Sequence, residues 1–315
     1  MPEPPAAPGP ATPPTSPRTA TQPGAIPLAA TASPPPAAPV PAAPTLAAPS
    51  LTAPSLTAPC PSAPAPAAPD PWHGLRALTP ARIGLPRAGA ALATRPLLEL
   101  RLAHARARDA VAAALDAPAL LAALSTPGQP ALLLHSRAPD HAAYLRRPDL
   151  GRDLDDAAPA TLSPHATGWD LAVVVADGLS ARAAERQAPP LLARLLPALQ
   201  AAGWRIAPRV VLRHGRVAAG DAVATLLRAT AACVLIGERP GLSTPDSLGA
   251  YLTWAPGPAT TDADRNCVSN IQPHGLSPGT AAHRIAHLLS AMRTARRSGV
   301  QLKDTSVDPA ALPGP

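Results

Sequence analysis

Phenylalanine is missing from all 315 residues, and the aromatic side chains are four tryptophans and two tyrosines. Lysine occurs once, as Lys303, so all but one of the 27 basic side chains are arginines, and these are spread along the chain. Despite the formal net charge of +7, this distribution and the lack of rings for base stacking predict no nucleic-acid partner. With a single terminal lysine and no Walker loop, Schiff-base chemistry and phosphate transfer lack candidate residues.

Cysteine is also scarce. Cys60, Cys233 and Cys267 are odd in number, far apart and in no paired motif, which argues against a disulfide framework. No window holds 18 uncharged apolar residues, and no basic start followed by an apolar stretch indicates a secretory signal. These absences predict a soluble cytoplasmic protein without a membrane partner.

Proline and alanine dominate the first part of the chain. Residues 1–70 contain too few large apolar side chains to offset the entropy of ordering, so we expect a disordered Pro/Ala-rich tail. Residues 71–160 are predicted to form an N-terminal helical region and residues 161–305 an α/β domain. Residues 306–315 are expected to be a short C-terminal tail.

Apolar periodicity separates these two folded segments. The run "RPLLELRLAHARARDAVAAAL" places Leu97, Leu100, Ala103 and Ala107 on one helical stripe, and "PALLAALS" continues it after a proline. Later, "LAVVVADGLS", "APRVVLRHGRV", "AACVLIGERPG" and "GAYLTWAPG" are short apolar runs typical of strands. Helical stretches alternate with them. The sequence therefore predicts an α/β fold with a mostly parallel, Rossmann-like sheet flanked by helices, after an N-terminal helical part.

Polar residues follow the predicted strands at their carboxyl ends, where ligands bind in such sheets. They are Asp177 and Gly178, then His214 to Val217, then Gly237 to Gly241. Glycines allow backbone groups to approach a ligand, and a Glu beside an Arg offers an acceptor next to donors. This rim suits a large neutral or amide-bearing ligand better than a phosphate. An equally open alternative is a self-satisfied loop that only caps a helix.

Three motifs suggest other chemistry. "GLSPG" matches a nucleophile elbow around Ser277, but Pro278 has no N–H for an oxyanion hole, so a helix cap is the better interpretation. Cys267 lies in a predicted polar loop and has no evident base partner. His283 and His287 are four apart on a helix but lack a third ligand, so no metal site is expected. A stand-alone α/β hydrolase using Ser277 or Cys267 stays as the alternative function.

Four stretches taken together resemble one family: "YLRRPDLGRDL", "VVVADGLSARA", "VLRHGRVAAGDAV" and "LIGERPGLSTPDSLGAYLTWAP" continuing to "TTDADRNCVSNI". They are similar to the small (light, beta) subunit of ethanolamine ammonia-lyase, over about residues 72–305. The resemblance implies a subunit of an adenosylcobalamin enzyme that converts ethanolamine to acetaldehyde and ammonia. It also implies that the domain at 161–305 contacts the cobalamin.

The resemblance further implies a partner and a set of contacts. The cobalamin is expected between this chain and a large subunit, in a probable assembly of six of each, with substrate residues on the large subunit. By motif match its contacts are Val217, Glu238 and Cys267, with no catalytic residue here. The D-x-H-x-x-G pattern of base-off cobalamin proteins is absent, which agrees with base-on binding. The expected location is the cytoplasm, either free or within a bacterial microcompartment.

Overall fold

The computed structural model describes residues 70–306. The tails expected at either end lie outside these residues, except for Asp70 and Ser306. The helices are α1 (His73–Arg76), α2 (Thr94–Ala112), α3 (Ala117–Leu124), α4 (His141–Arg146), α5 (Ala158–Leu162), α6 (Ala181–Ala201), α7 (Ala219–Leu226) and α8 (Pro278–Ala295). The strands are β1 (Arg87–Ala88), β2 (Ala91–Leu92), β3 (Leu132–His135), β4 (Trp169–Ala176), β5 (Val210–Arg213), β6 (Ala229–Gly237), β7 (Leu248–Trp254) and β8 (Arg265–Ile271).

Six strands form the main sheet, in the order β3-β5-β4-β6-β7-β8. The first four are parallel to one another, whereas β7 pairs antiparallel with β6, and β8 antiparallel with β7. The predicted α/β class with a mostly parallel sheet flanked by helices is thus confirmed. The first two strands, β1 and β2, form a separate antiparallel pair.

Helices cover the two faces of this sheet unequally. Leu171, Val173 and Val175 point to one face, where α3, α6 and α8 pack, and we call it the α6 face. Ala172 and Val174 point to the other, where α5 and α7 pack, and we call it the α7 face. Strand β4 is buried on both faces, which explains its unbroken apolar sequence.

The α7 face is less protected over the antiparallel half of the sheet. Along β7, Leu248, Ala250 and Leu252 belong to the core of the α6 face, so the alternate residues point the other way. There, Tyr251 is only partly buried and Cys267, its partner on β8, is exposed. We call the surface formed by Gly249, Tyr251 and Cys267 the open face.

The short pair β1 and β2 and two strands of the main sheet were missed in the sequence. Strand β3 lies within residues 71–160, which were predicted as helical, because a run of three leucines fits a helix or a strand equally well. Strand β8 occupies the stretch predicted as a polar loop around Cys267. Its sequence RNCVSNI is polar because it is an edge strand with one face exposed. No helix within residues 70–306 is long and apolar enough to cross a membrane.

Candidate functional site

The rim predicted at the carboxyl ends of β4, β5 and β6 is one hydrogen-bonded unit. The Asp177 Oδ2 atom accepts the His214 N–H at 2.9 Å, and Oδ1 accepts the Gly178 N–H at 2.9 Å. The Leu179 N–H donates to the Gly237 carbonyl at 3.0 Å, which ties β4 to β6. Burial raises the pKa of Asp177, while the backbone donors of His214 and Gly178 oppose that rise. Asp177 therefore links the three loops rather than facing a ligand.

Glycine is required where β6 meets the loop after β4. A Cβ atom on Gly237 would collide with the carbonyl oxygens of Ser180 and Asp177, and Gly178 has a φ of +57°. Only glycine allows both the close approach and the left-handed backbone without strain. The end of β6 is therefore fixed firmly beneath Glu238.

Glu238 lies in a hairpin connection, not in a loop that caps a helix. The Glu238 N–H donates to the Ser247 carbonyl at 2.9 Å, and β6 continues through this hairpin into antiparallel β7. The Glu238 Oε2 atom accepts the Ser247 hydroxyl at 2.5 Å and the Asn270 N–H at 3.4 Å. Among residues 70–306, no hydrogen bond to its Oε1 atom is found. That oxygen is free to accept a donor from outside the chain.

Gly249 leaves room for the Glu238 carboxylate over β7. A Cβ atom at Gly249 would lie 2.8 Å from Glu238 Oε1 and 3.3 Å from Tyr251 Cε2. The carboxylate thus rests directly on bare backbone, with the Tyr251 ring beside it. Neither Gly249 nor Tyr251 was singled out in the sequence, because assigning them to this face requires the register of β7 with β6 and β8.

Cys267 lies beside Tyr251 on the open face, as its direct partner in the pairing of β7 with β8. Partial desolvation raises the pKa of the Cys267 thiol, and the Glu238 charge raises it further, whereas the Tyr251 hydroxyl group opposes this. Desolvation, with the nearby Cys267 and Glu238, raises the pKa of Tyr251 to about 12. Both groups are therefore protonated at neutral pH. A protonated thiol without a base is a poor nucleophile.

Val217 lies in the loop between β5 and α7 and packs at the margin of the α7-face core, as Tyr251 does. The structure thus places Val217 on the same side of the sheet as Glu238 and Cys267, although its own backbone belongs to the rim. Glu238 lies over Gly249 next to Tyr251, and its charge raises the pKa of Cys267. Glu238 and Cys267 thus both adjoin Tyr251 at the open face, and Val217 lies on the same side of the sheet.

Behind the rim, a cluster of rings and a guanidinium group holds the segment around Tyr144. The Arg216 Cζ atom lies 4.3 Å from the Tyr144 ring centroid, and Arg216 Nη2 donates to the Tyr144 carbonyl at 3.1 Å. The Arg216 N–H donates to the Gly151 carbonyl at 2.7 Å. Burial, the largest effect, raises the pKa of Tyr144 to about 12. This cluster fixes the loop that carries Val217.

An ion pair connects α7 to β8 beneath the open face. Asp221 lies in the first turn of α7 and Arg265 is the first residue of β8, and both are buried. Their two contacts are Nη1 to Oδ1 at 2.8 Å and Nη2 to Oδ2 at 2.6 Å. Arg265 Nη1 also donates to Thr253 Oγ1 at 3.1 Å. The pair was not identified from the sequence, because the two residues are far apart along the chain.

The alternative motifs take structural roles. Ser277 Oγ accepts the Thr280 N–H at 3.2 Å and caps α8, as predicted. His283 is exposed, and His287 Nε2 lies 3.0 Å from Thr305 Oγ1. No group of three or more His, Cys, Asp or Glu residues within 70–306 could hold a metal ion.

A cavity of about 710 Å³ lies elsewhere, between the start of α5, the outer side of α7 and the loop after β7. Its polar lining includes Asp153, Asp155 and Asp156, and none of Val217, Glu238 and Cys267 borders it. The three predicted contact residues therefore lie outside this cavity.

Similarity to known proteins covers most of the chain. Residues 69–303 match the family model described as ethanolamine ammonia-lyase light chain (EutC). A Pseudomonas aeruginosa protein named ethanolamine ammonia-lyase small subunit is 52% identical over 239 residues, covering 75% of this chain and 88% of that protein. Proteins of the same name from Xanthomonas campestris and Ralstonia nicotianae are 53% and 50% identical over 244 residues, covering 76% of this chain and 90% of each. The chain belongs to the ethanolamine ammonia-lyase light chain family.

Proposed function

We propose that this chain is the small subunit of an ethanolamine ammonia-lyase and holds one side of an adenosylcobalamin against a large subunit. The name of its relatives, shared at about half identity over nearly their full length, supports the enzyme and implies a larger partner. The observation that carries the cofactor assignment is the open face, where a free carboxylate oxygen and a tyrosine edge lie beside bare backbone.

The chemistry of this surface fits a corrin. A corrin is broad, flat and apolar, and its edge carries amide groups that donate and accept hydrogen bonds. On the open face, the Glu238 carboxylate rests on Gly249 next to the Tyr251 ring, so a flat ring lying over this side of the sheet would meet the carboxylate at its edge. The unpaired Oε1 atom of Glu238 is suited to an amide N–H.

Each residue then has a distinct task. Val217 packs its methyl groups against the ring, and Glu238 fixes its rotation through one amide. Ser247 and the Asn270 N–H hold the other carboxylate oxygen and so orient Oε1. Cys267, protonated and paired with Tyr251 across the two strands, provides a polarisable contact without reacting.

Bound adenosylcobalamin supplies the homolytic radical chemistry of such enzymes, and the protein orients and shields it. Base-on binding is proposed because the sequence lacks the D-x-H-x-x-G pattern. This chain contributes no catalytic residue, and substrate residues are assigned to the large subunit. We propose an assembly of six small and six large subunits in the cytoplasm, either free or inside a microcompartment.

A stand-alone hydrolase is not favoured. Ser277 uses its hydroxyl to cap α8, and the next residue, Pro278, has no N–H to offer. The raised pKa of Cys267 opposes thiolate attack.

Co-expression with a candidate large subunit tests the proposal. The purified complex should bind adenosylcobalamin, measured by absorbance titration, and should deaminate ethanolamine only when both subunits and the cofactor are present. Replacing Glu238 by Ala should weaken cobalamin binding without changing the melting curve of the subunit. Arg205→Gln is the matched control, because Arg205 pairs with Asp170 at the start of β4, at the other end of the strands from Glu238. Full activity from the large subunit alone would contradict the proposal.

A further inference from the structure

The Asp221–Arg265 pair is the most completely buried ion pair among the described residues, with 8% and 3% of its side chains exposed. Its geometry is bidentate, and Thr253 provides a further acceptor. Arg265 Nε lies 3.5 Å from Asp262 Oδ1, an exposed carboxylate. Burial alone would lower the pKa of Arg265, but its hydrogen bonds to Asp221 and the charge of that carboxylate raise it, so the guanidinium group is charged.

A pair of this kind is a poor device for stability alone. Removing two charges from water costs free energy that their attraction barely repays, and two apolar residues of similar volume do as well or better. What a charged bidentate pair adds is geometric precision, because two parallel hydrogen bonds fix both distance and angle. Its position should therefore show what it aligns.

The pair spans the two margins of the open face. Asp221 follows Val217 by four residues at the start of α7, and Arg265 precedes Cys267 by two residues on the same side of β8. Between them, Arg265 crosses β7 at Thr253, two residues beyond Tyr251. No other hydrogen bond or ion pair among the described residues joins α7 to β8.

We propose that Asp221 and Arg265 are positioning residues that set the separation between Val217 and Cys267, and hence the width of the surface that receives the cobalamin. This inference rests on the proposed function. Neither residue contacts the cofactor, and each acts through the element that carries a contacting residue. Without the pair, α7 and the edge strand β8 would shift independently of each other.

A double substitution separates this role from a stabilising one. Asp221→Leu combined with Arg265→Met removes both charges and fills their volume, so the subunit should melt close to the wild type. The complex carrying it should bind cobalamin about tenfold or more weakly, as outer-layer substitutions typically do. The circular dichroism of the bound corrin should also change, because the surface that receives the cobalamin has a different shape.

Arg265→Lys provides the conservative comparison. It keeps the charge but loses the bidentate contact, so its affinity should lie between those of the wild type and the double variant. If the double variant does not fold, the cobalamin affinity of Arg265→Lys tests the inference instead. Arg205→Gln breaks an ion pair with Asp170 at the start of β4. It should leave the cobalamin affinity and the circular dichroism unchanged.

Two outcomes overturn the inference on its own. One is a folded double variant that binds cobalamin within about twofold of the wild type with the same dichroism. The other, if the double variant fails to fold, is Arg265→Lys binding as the wild type does. A wild-type complex that takes up no cobalamin at all would instead overturn the proposed function, and this inference with it.

Discussion

At the scale of single residues, the two oxygens of Glu238 have different surroundings. Oε2 is held by Ser247 and the Asn270 N–H, whereas Oε1 lies over the bare backbone of Gly249. The apolar run ending in G-E-R-P-G predicted a polar group at a strand end. It could not predict this division, since that depends on the side chains facing Glu238 from β7 and β8.

Gly249→Ala tests the space under Glu238. The added methyl group would lie 2.8 Å from Oε1, so the carboxylate must move, and cobalamin affinity should fall about three- to tenfold. Absorbance titration of the complex measures this. Gly257→Ala, where nothing lies within 4 Å of the added carbon, is the matched control. Equal affinity in both variants would remove Glu238 from the binding surface.

The acidity of Cys267 gives a second test, in the isolated subunit. Glu238 raises the pKa of the Cys267 thiol, so Glu238→Gln should lower that pKa and speed alkylation by iodoacetamide at pH 8 about two- to fivefold. Tyr251→Phe removes the hydroxyl group that favours the thiolate and should slow the same reaction. Mass spectrometry of the peptide containing Cys267 gives the rates.

Cys233 serves as an internal reference for this experiment, because complete burial raises its pKa to about 12 and should protect it in the folded subunit. Asp149→Asn, an exposed carboxylate change outside the open face, should leave the rate at Cys267 unchanged. Identical rates in Glu238→Gln and the wild type would show that the two groups do not interact in solution.

At the scale of elements, strands buried on both faces were the easiest to predict. Strands β4 and β6 are continuous apolar runs, and β5 is a shorter one ending in Arg213. Edge strand β8 could not be recognised, since its polar residues face water or α7 and only Val268 and Ile271 pack in the core. Because β8 was not recognised, its contribution of Cys267 to the open face could not be predicted either.

Helix α6 was predicted although it contains three prolines, Pro189, Pro190 and Pro197. Each interior proline removes one backbone hydrogen bond and costs about 3 kcal/mol. The apolar stripe of Leu191, Leu195 and Leu199 packs fully in the core of the α6 face and offsets this cost. Burial of the apolar face of α6 therefore outweighs its poor local helix propensity.

Pro197→Ala should stabilise the subunit. Pro197 is exposed, and alanine there would restore the N–H that can donate to the Ala193 carbonyl. After the greater freedom of the unfolded chain is deducted, we expect a gain of about 1–2 kcal/mol in the free energy of unfolding by urea. Pro278→Ala is the control, because proline at the first position of α8 costs no hydrogen bond. A loss of stability in Pro197→Ala would mean that the ring itself packs usefully.

At the scale of the whole molecule, the two halves of the sheet differ in exposure. The parallel half is covered on both faces and provides a rigid frame, whereas the antiparallel half is covered on the α6 face and, on the α7 face, at its Thr253 and Arg265 end. A sheet surface open on one side is a natural half-site, which a second protein can complete. Sequence patterns predicted the frame, but they could not show which half of the sheet would stay open.

Hydrogen exchange locates the face that the large subunit covers. If the open face is the half-site, complex formation with cobalamin should slow amide exchange in peptides from β8 and from the hairpin at 238–247 about tenfold or more. The loop at 255–261 follows β7 at the other end of the strands from the 238–247 hairpin. Its amide exchange should be unchanged. A cofactor between two subunits must be covered by both. Protection of that loop with unchanged exchange in β8 would place the large subunit at the other end of the strands and so refute the half-site.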